Sequence, residues 1–72
     1  MFEMFPVASS RVSEIGYDAD TATVYVRFAK DGKGWCYMNV PQDVWQQFVA
    51  TPSKGQFIHE VLDAYQHGPA HI

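Results

Sequence analysis

The most regular alternation of hydrophobic and polar residues lies in residues 23–28, which read Thr-Val-Tyr-Val-Arg-Phe. A period of two in β-branched and aromatic residues is typical of a strand with one buried face. Weaker versions of the pattern predict further strands at residues 12–18 and 35–40. An aspartate-rich turn at residues 18–21 and a glycine-containing loop at residues 30–34 separate the three strands. The first half of the chain therefore predicts a three-stranded antiparallel unit.

After residue 40 the hydrophobic period changes to that of a helix. Pro41 suits the first turn of a helix, where its missing N–H costs nothing. We predict a helix from Pro41 to Ala50, which ends before Pro52. Its apolar stripe consists of Val44, Trp45, Phe48 and Val49.

A second helix is predicted from Lys54 to His67, with Ser53 as N-cap and Gln56 as its capping-box partner. Gly68 and the proline after it end this helix. Its buried stripe consists of Phe57, Ile58, Val61, Leu62 and Tyr65. The order β-β-β-α-α predicts an α+β fold, in which two helices pack on one face of a three-stranded antiparallel sheet.

Side chains alternate along a strand, so the predicted sheet sorts into two faces. The face expected to meet the helices carries Ile15, Tyr17, Val24, Val26, Phe28, Cys36, Met38 and Val40. The opposite face carries Tyr25, Arg27, Trp35, Tyr37 and Asn39. Aromatic rings beside a guanidinium can anchor a peptide or stack bases. This second face, with Lys33 in the adjacent loop, is therefore the predicted partner-binding surface.

A purely structural alternative exists for the same rings. Phe2, Met4 and Phe5 have no place in the predicted core, and they are available to cover the aromatic face. Exposure of Trp35 and Tyr37 separates the two interpretations.

Charge and composition narrow the classes of function. The 72 residues include 5 basic and 8 acidic ones, which gives a net charge of −3. Non-specific nucleic-acid binding depends on Lys and Arg, so an acidic chain favours a protein partner. Arg27, Lys30 and Lys33 nevertheless form a local basic group.

A single cysteine, Cys36, excludes an internal disulfide and suits a reducing cytoplasm. No segment has the length of a membrane span.

No combination of residues predicts an enzyme. Cys36 falls on the predicted core face, and the serines lack a neighbouring base. His67 and His71 lie in a segment read as a solvated tail, and His59 has no second histidine at metalloprotease spacing. We therefore expect a binding module without cofactor or metal.

The start of the second helix offers another candidate contact. Ser53, Lys54 and Gly55 place a positive charge and an open backbone at a helix N-terminus, where an anion or a partner carboxylate can bind. Ordinary helix capping, with a steric need for glycine, explains the same residues.

The order of the short motifs resembles the KTSC domain family over residues 7–65. The family centre is usually Tyr-x-Tyr, and here Trp35 replaces the first tyrosine. The residues that carry the resemblance are Ser9-Ser10, Ile15-Gly16-Tyr17-Asp18, Val24-x-Val26-x-Phe28, Gly32, Trp35-x-Tyr37, Val40-Pro41, Ser53-Lys54-Gly55, Phe57 and Tyr65.

The resemblance implies a domain at residues 9–67, an N-terminal segment at 1–8 and a flexible tail at 68–72. The family occurs alone in bacterial and phage proteins and at the end of some lysyl-tRNA synthetases, and it has no established enzymatic activity. The chain also resembles a small phage-encoded regulator of host bacterial RNA polymerase. That likeness implies a cytoplasmic protein that inhibits or reprograms transcription in the host. The alternatives are an RNA-binding module and a structural, virion-associated domain.

Overall fold

In a computed structural model of the chain, residues 2–72 form one five-stranded antiparallel sheet with two helices. The strands follow the order β1-β2-β3-β4-β5 across the sheet, and each pairs with its neighbour in antiparallel register. Their bounds are β1 (Phe5–Pro6), β2 (Val12–Asp18), β3 (Thr23–Phe28), β4 (Gly34–Tyr37) and β5 (His67–Ala70). The helices are α1 (Gln42–Ala50) and α2 (Lys54–Glu60), followed by a 3-10 turn at Leu62–Ala64.

Strands β2 and β3 have the bounds that the alternating pattern predicts. The turn between them is set by Asp18, whose side chain accepts a hydrogen bond from the backbone N–H of Asp20 at 3.0 Å. The β3–β4 hairpin closes through the backbone N–H of Phe28, which donates to the carbonyl of Lys33 at 3.0 Å. Gly32 in this loop has a φ of 72°, which a residue without a side chain adopts at no steric cost.

Strand β4 is shorter than the predicted strand at 35–40. It ends at Tyr37, and Asn39 then adopts a φ of 59° in the left-handed region. The chain reverses there and turns Val40 back into the core, where it is fully buried. The backbone N–H of Val40 donates to the carbonyl of Ala22 and so ties this reversal to the β2–β3 turn.

Helix α1 agrees closely with its prediction, with Pro41 as N-cap, although Val49 is 42% exposed and does not belong to the buried stripe. Helix α2 is shorter than predicted. Ser53 is its N-cap residue but makes no side-chain capping bond, and Gln56 donates to Glu60 instead of completing a capping box.

The fold class is α+β, but the prediction of three strands is wrong, because both ends of the chain add a strand. β1 pairs Phe5 with Ile15, and β5 pairs Pro69 with Trp35. Residues 67–70, predicted as the end of α2 and part of a flexible tail, form the edge strand β5. Gly and Pro are poor strand formers, and strands tolerate proline mainly at sheet edges.

One hydrophobic core lies between the sheet and the helices. The sheet contributes Val12, Ile15, Val24, Val26, Tyr37 and Val40, and the helical segments contribute Phe48, Ile58 and Leu62. The second strand is also fixed at one end by Tyr17, whose hydroxyl donates to the carbonyl of Val40 at 2.7 Å. This core places α2 over one end of the β3–β4 hairpin, and a groove forms between them.

Candidate functional site

The predicted aromatic face does not exist as a single surface. In the register of β3 and β4, Tyr37 lies opposite Val24 and Trp35 lies opposite Val26. Residues directly opposite each other share a face, so both rings lie on the side that packs against the helices. We call this side the helix face. Tyr37 is only 2% exposed and Trp35 is half-buried, so the sequence assigned β4 to the wrong faces.

The size of the side chains explains this reversal. The sequence pattern placed Cys36 and Met38 inward because both are apolar. Trp and Tyr rings each bury 150–250 Å² or so, far more than a cysteine. Placing Trp35 and Tyr37 inward therefore removes more apolar surface from water, even though Cys36 then faces the other side, opposite Tyr25.

The second side of the sheet, which we call the terminal face, is covered by the ends of the chain. It carries Gly16, Tyr25, Arg27, Gly34 and Cys36. The ring of Phe2 stacks on Tyr25, with centroids 4.1 Å apart and planes 6° apart. The structural alternative predicts this cover for Phe2, Met4 and Phe5. Phe2 and Met4 lie on this face, but Phe5 meets the edge of Trp45 at 6.1 Å.

Glycines allow this cover to lie close to the backbone. A Cβ at Gly16 would approach Met4 Sδ to 2.7 Å and the carbonyl oxygen of Glu3 to 2.8 Å. A Cβ at Gly34 would overlap the side chain of Ile72. The terminal face thus accommodates the chain's own ends directly on its glycines.

Arg27, predicted to bind a partner, is engaged within the chain. Its Nε donates to Glu14 Oε1 at 2.8 Å, and its Nη1 donates to the carbonyl of Gly32 at 3.1 Å. Glu14 lies directly opposite on β2, so the pair is a cross-strand ion pair. The guanidinium thus links β2 to the β3–β4 loop.

Burial raises the pKa of two tyrosines, and the larger shift is that of Tyr37. Burial raises the pKa of Tyr37 far above its usual range, and the nearby Asp63 carboxylate raises it further. Burial also raises the pKa of Tyr25, with smaller effects from Cys36 and Asp18. Both phenols are therefore neutral across the physiological range, and neither is available as a base.

The start of α2 does not offer a free charge to an anion. The ammonium of Lys54 donates to the carbonyls of Thr51 at 2.6 Å and Val49 at 3.2 Å. These carbonyls belong to the end of α1, and a cation there satisfies acceptors that the helix leaves unpaired. Lys54 is buried, at 8% exposure, so its charge serves the junction between the helices.

The close approach of another side chain explains Gly55. A Cβ at this position would lie 2.9 Å from Cδ of Arg11. The aliphatic part of Arg11 thus lies across the first turn of α2. The structure therefore has the steric need for glycine that the alternative predicts, but not the capping bond. This packing holds Arg11 at the mouth of the groove beside the hairpin.

That groove is a concave feature lined by aromatic and charged side chains. We call it the hairpin–helix groove; it has a volume of about 610 Å³ and lies between the β3–β4 hairpin, α2, the 3-10 turn and β5. Its lining residues are Ser10, Arg11, Phe28, Lys30, Asp31, Lys33, Trp35, Tyr37, Gly55, Ile58, His59, Asp63 and His67.

The groove combines an apolar floor with a polar rim. Phe28 and Trp35 are half-buried, and Ile58 is 7% exposed beneath them. His67 stands beside the ring of Trp35, with centroids 6.3 Å apart, and its Nδ1 lies 2.7 Å from the carbonyl oxygen of Tyr65. Asp63 lies 3.8 Å from Nδ1 of His59 on the α2 side.

The groove brings together only some of the predicted site residues. Lys33, Trp35, Tyr37 and Gly55 line it, whereas Tyr25 and Arg27 lie on the terminal face. Ser53 and Lys54 line a smaller neighbouring groove of about 510 Å³. The sequence prediction missed Arg11, Phe28 and Ile58 as site residues. The pattern alone could not identify them, because their juxtaposition depends on how α2 crosses the hairpin.

Residues 2–72 contain no group of three histidine, cysteine or acidic side chains arranged to hold a metal ion. Among the same residues, none of the helices has the length and apolar character to cross a membrane.

The chain is similar to a known family model, to a curated protein and to a solved structure. The family model described as KTSC domain matches residues 8–65. A protein from Tsukamurella paurometabola is 32% identical over 59 residues, which are 82% of this chain and 87% of the relative. The crystal structure of a KTSC domain protein from Yersinia pestis superposes with a TM-score of 0.90 at 30% identity. That match covers 99% of this chain and 100% of the other.

Proposed function

We propose that this chain, which belongs to the KTSC domain family over residues 8–65, is a binding module. It holds a segment of a protein partner in the hairpin–helix groove. The observation that carries this proposal is the groove itself. Its volume of about 610 Å³ is within the range of ligand sites, and half-buried rings form its floor. The terminal face, in contrast, is already covered by the chain's own ends.

The net charge of the chain favours a protein segment over a nucleic acid, even though three cations line the groove. The chain carries a net charge of −3, and two carboxylates, Asp31 and Asp63, line the groove itself. A polynucleotide presents regularly spaced phosphates that these carboxylates would repel. A peptide can place its charges to avoid them.

For the identity of the partner we propose a bacterial RNA polymerase, with the chain inhibiting or reprogramming initiation or termination. Support for this partner comes from the sequence resemblance to a small phage-encoded regulator. A cytoplasmic location in the host follows from the same proposal, as does the absence of enzymatic activity.

RNA binding is a second candidate, and one observation favours it. Three of the five basic residues, Arg11, Lys30 and Lys33, line the same groove as Trp35. Cations beside an aromatic ring suit single-stranded RNA, whose bases can stack on the ring and whose phosphates the cations neutralise.

Retention of purified bacterial RNA polymerase on the immobilised chain tests the proposal. Ser10 is exposed and lines both this groove and the neighbouring one, so Ser10→Trp introduces a large ring there at a position outside the core. Gln46 is exposed on α1, outside the groove, so Gln46→Trp is the matched control. We expect the polymerase to bind the wild type and the control, and binding to the Ser10 variant to fall at least tenfold.

Three other results have separate meanings. Equal binding by both variants contradicts the groove as the contact surface. Failure of the wild type to bind the polymerase, or to change transcript yield in vitro, contradicts the proposed partner. Saturable binding of single-stranded or tRNA-like RNA, weakened by Ser10→Trp and by salt, favours the second candidate.

A further inference from the structure

The five basic side chains of the protein separate into two groups by what they contact. Arg27 pairs with Glu14 and a backbone carbonyl, and Lys54 donates to two carbonyls at the end of α1. Both are half-buried or buried. These two cations already have internal partners and contribute to the fold.

The other three cations are Arg11, Lys30 and Lys33. Each is exposed, and within residues 2–72 no hydrogen bond or ion pair engages its charged end. All three line the hairpin–helix groove. The fold thus gathers at one groove every basic side chain of the described residues that has no internal partner.

The acidic side chains at the groove have local contacts of their own. Asp31 Oδ1 accepts the backbone N–H of Lys33 at 3.1 Å, and Asp63 lies beside His59. The Asp31 contact shapes the hairpin loop and leaves the ammonium groups of Lys30 and Lys33 available. Charge complementarity therefore calls for carboxylates on the ligand, set close to the apolar floor.

Resting on the proposed function, we infer that the groove selects protein segments in which acidic residues flank a large apolar side chain. The apolar side chain packs on Phe28 and Trp35, and the flanking carboxylates pair with Arg11, Lys30 and Lys33. The apolar contact supplies most of the affinity, and the three charge pairs decide which segments bind.

A random twelve-residue peptide library displayed on phage, selected on the immobilised full chain, tests this inference. We expect the enriched peptides to carry two or more Asp or Glu residues within a few positions of an aromatic or long aliphatic residue. A matched peptide with Asn and Gln in place of two acids should bind roughly 2- to 30-fold more weakly, because each exposed ion pair contributes about 0.2–1 kcal/mol. The difference should shrink as salt is added.

A pair of variants with equal net charge locates the effect. Lys30→Gln with Lys33→Gln removes two positive charges at the groove, whereas Gln46→Glu with Gln47→Glu adds two negative charges on the exposed side of α1. We expect the first pair to reduce the preference for acidic peptides to what Arg11 alone supplies, and the second pair to preserve it. Fluorescence anisotropy of the enriched peptide measures both, and circular dichroism checks the fold.

The contrary outcomes separate this inference from the function on which it rests. Enriched peptides that shift the amide signals of Phe28 and Trp35 but show no acidic preference overturn the inference and leave the groove as the binding site. Peptides that shift only signals outside the groove overturn both. Tighter groove binding of octauridylate than of the acidic peptide overturns the inference in favour of RNA.

Discussion

On the helix face of the sheet, large side chains such as Tyr37 and Val26 meet Phe48 and Leu62 from separate helical segments. On the terminal face, glycines meet residues 2–4 and Ile72, which lie almost directly on the backbone. The packing of bulky side chains stabilises the helix face. On the terminal face, the glycines have no side chain, and this allows the chain ends to pack directly on the backbone. A small protein can thus enclose both faces of one sheet, with only a few residues devoted to the second cover.

The comparison predicts that the helix face contributes most of the stability. Phe48 is fully buried and contacts Trp45 and Phe57. Phe48→Ala should reduce the free energy of unfolding by about 3–5 kcal/mol, because it removes a ring and leaves a cavity. For a domain of this size such a loss approaches the whole stability. Urea unfolding followed by tryptophan fluorescence measures the change.

Val49→Ala on the same helix is the control for Phe48→Ala. Val49 is 42% exposed, so its truncation should change the free energy of unfolding by no more than about 0.5 kcal/mol. Similar losses for the two variants would show that burial on the helix face does not dominate.

A smaller effect is expected on the terminal face, where the cover fits closely. Gly16→Ala should cost about 1–3 kcal/mol, because the added Cβ meets the backbone oxygen of Glu3 and the sulfur of Met4. It should also weaken the nuclear Overhauser contacts between Phe2 and Tyr25. Gly68→Ala is the matched control, since nothing lies within 4 Å of a Cβ there. A Gly16 variant as stable as the Gly68 variant would refute the close-fitting cover.

The smallest expected effect is a loss of stability at alkaline pH, which should differ between the two faces. Burial raises the pKa of both Tyr37 and Tyr25, so each phenol releases its proton at lower pH in the unfolded chain than in the folded one. Their stabilising contribution is complete below about pH 10 and is lost as pH rises above it. Above that pH, each tyrosine reduces the free energy of unfolding by at most about 1.4 kcal/mol per pH unit.

Urea midpoints at pH 9 and pH 11 distinguish the two tyrosines. We expect Tyr37→Phe to remove much of the alkaline loss, because Tyr37 lies in the core of the helix face. Tyr25→Phe should remove less, because its ring lies beneath Phe2 alone among the aromatic residues described. The opposite ranking would indicate that the terminal cover excludes water better than the core does.

The central part of the fold could be predicted from the sequence because its signals are redundant. In β3, strand propensity, alternation and the flanking turns all indicate the same element, and the structure has the predicted bounds, Thr23–Phe28. The same applies to α1, where Pro41 and Thr51 bound the helix.

The faces of β4 could not be predicted because two signals conflict. Apolar character favours Cys36 and Met38 inside, whereas ring area favours Trp35 and Tyr37 inside. The reversal at Asn39, with its positive φ, allows Val40 to be buried although Trp35 and Tyr37 are the residues that point inward. A sequence pattern that continues through residue 40 hides this reversal.

The candidate site was predicted only in part because it depends on tertiary pairing. Nothing in the sequence distinguishes Lys54, whose ammonium satisfies the carbonyls of α1, from Lys33, whose ammonium is free at the groove. Nor does the sequence show that Arg27 pairs with Glu14, since that contact depends on the β2–β3 register. The number of charges can be read from the sequence, but which of them have partners within the chain depends on the fold.

Both edge strands of the sheet contain a proline: Pro6 in β1 and Pro69 in β5. Proline has no N–H, so neither edge presents a complete row of donors to the strand of another molecule. β1 is also only two residues long. A second copy that approaches either edge finds an interrupted template, which protects a small, aromatic-rich protein from edge-to-edge aggregation at high concentration.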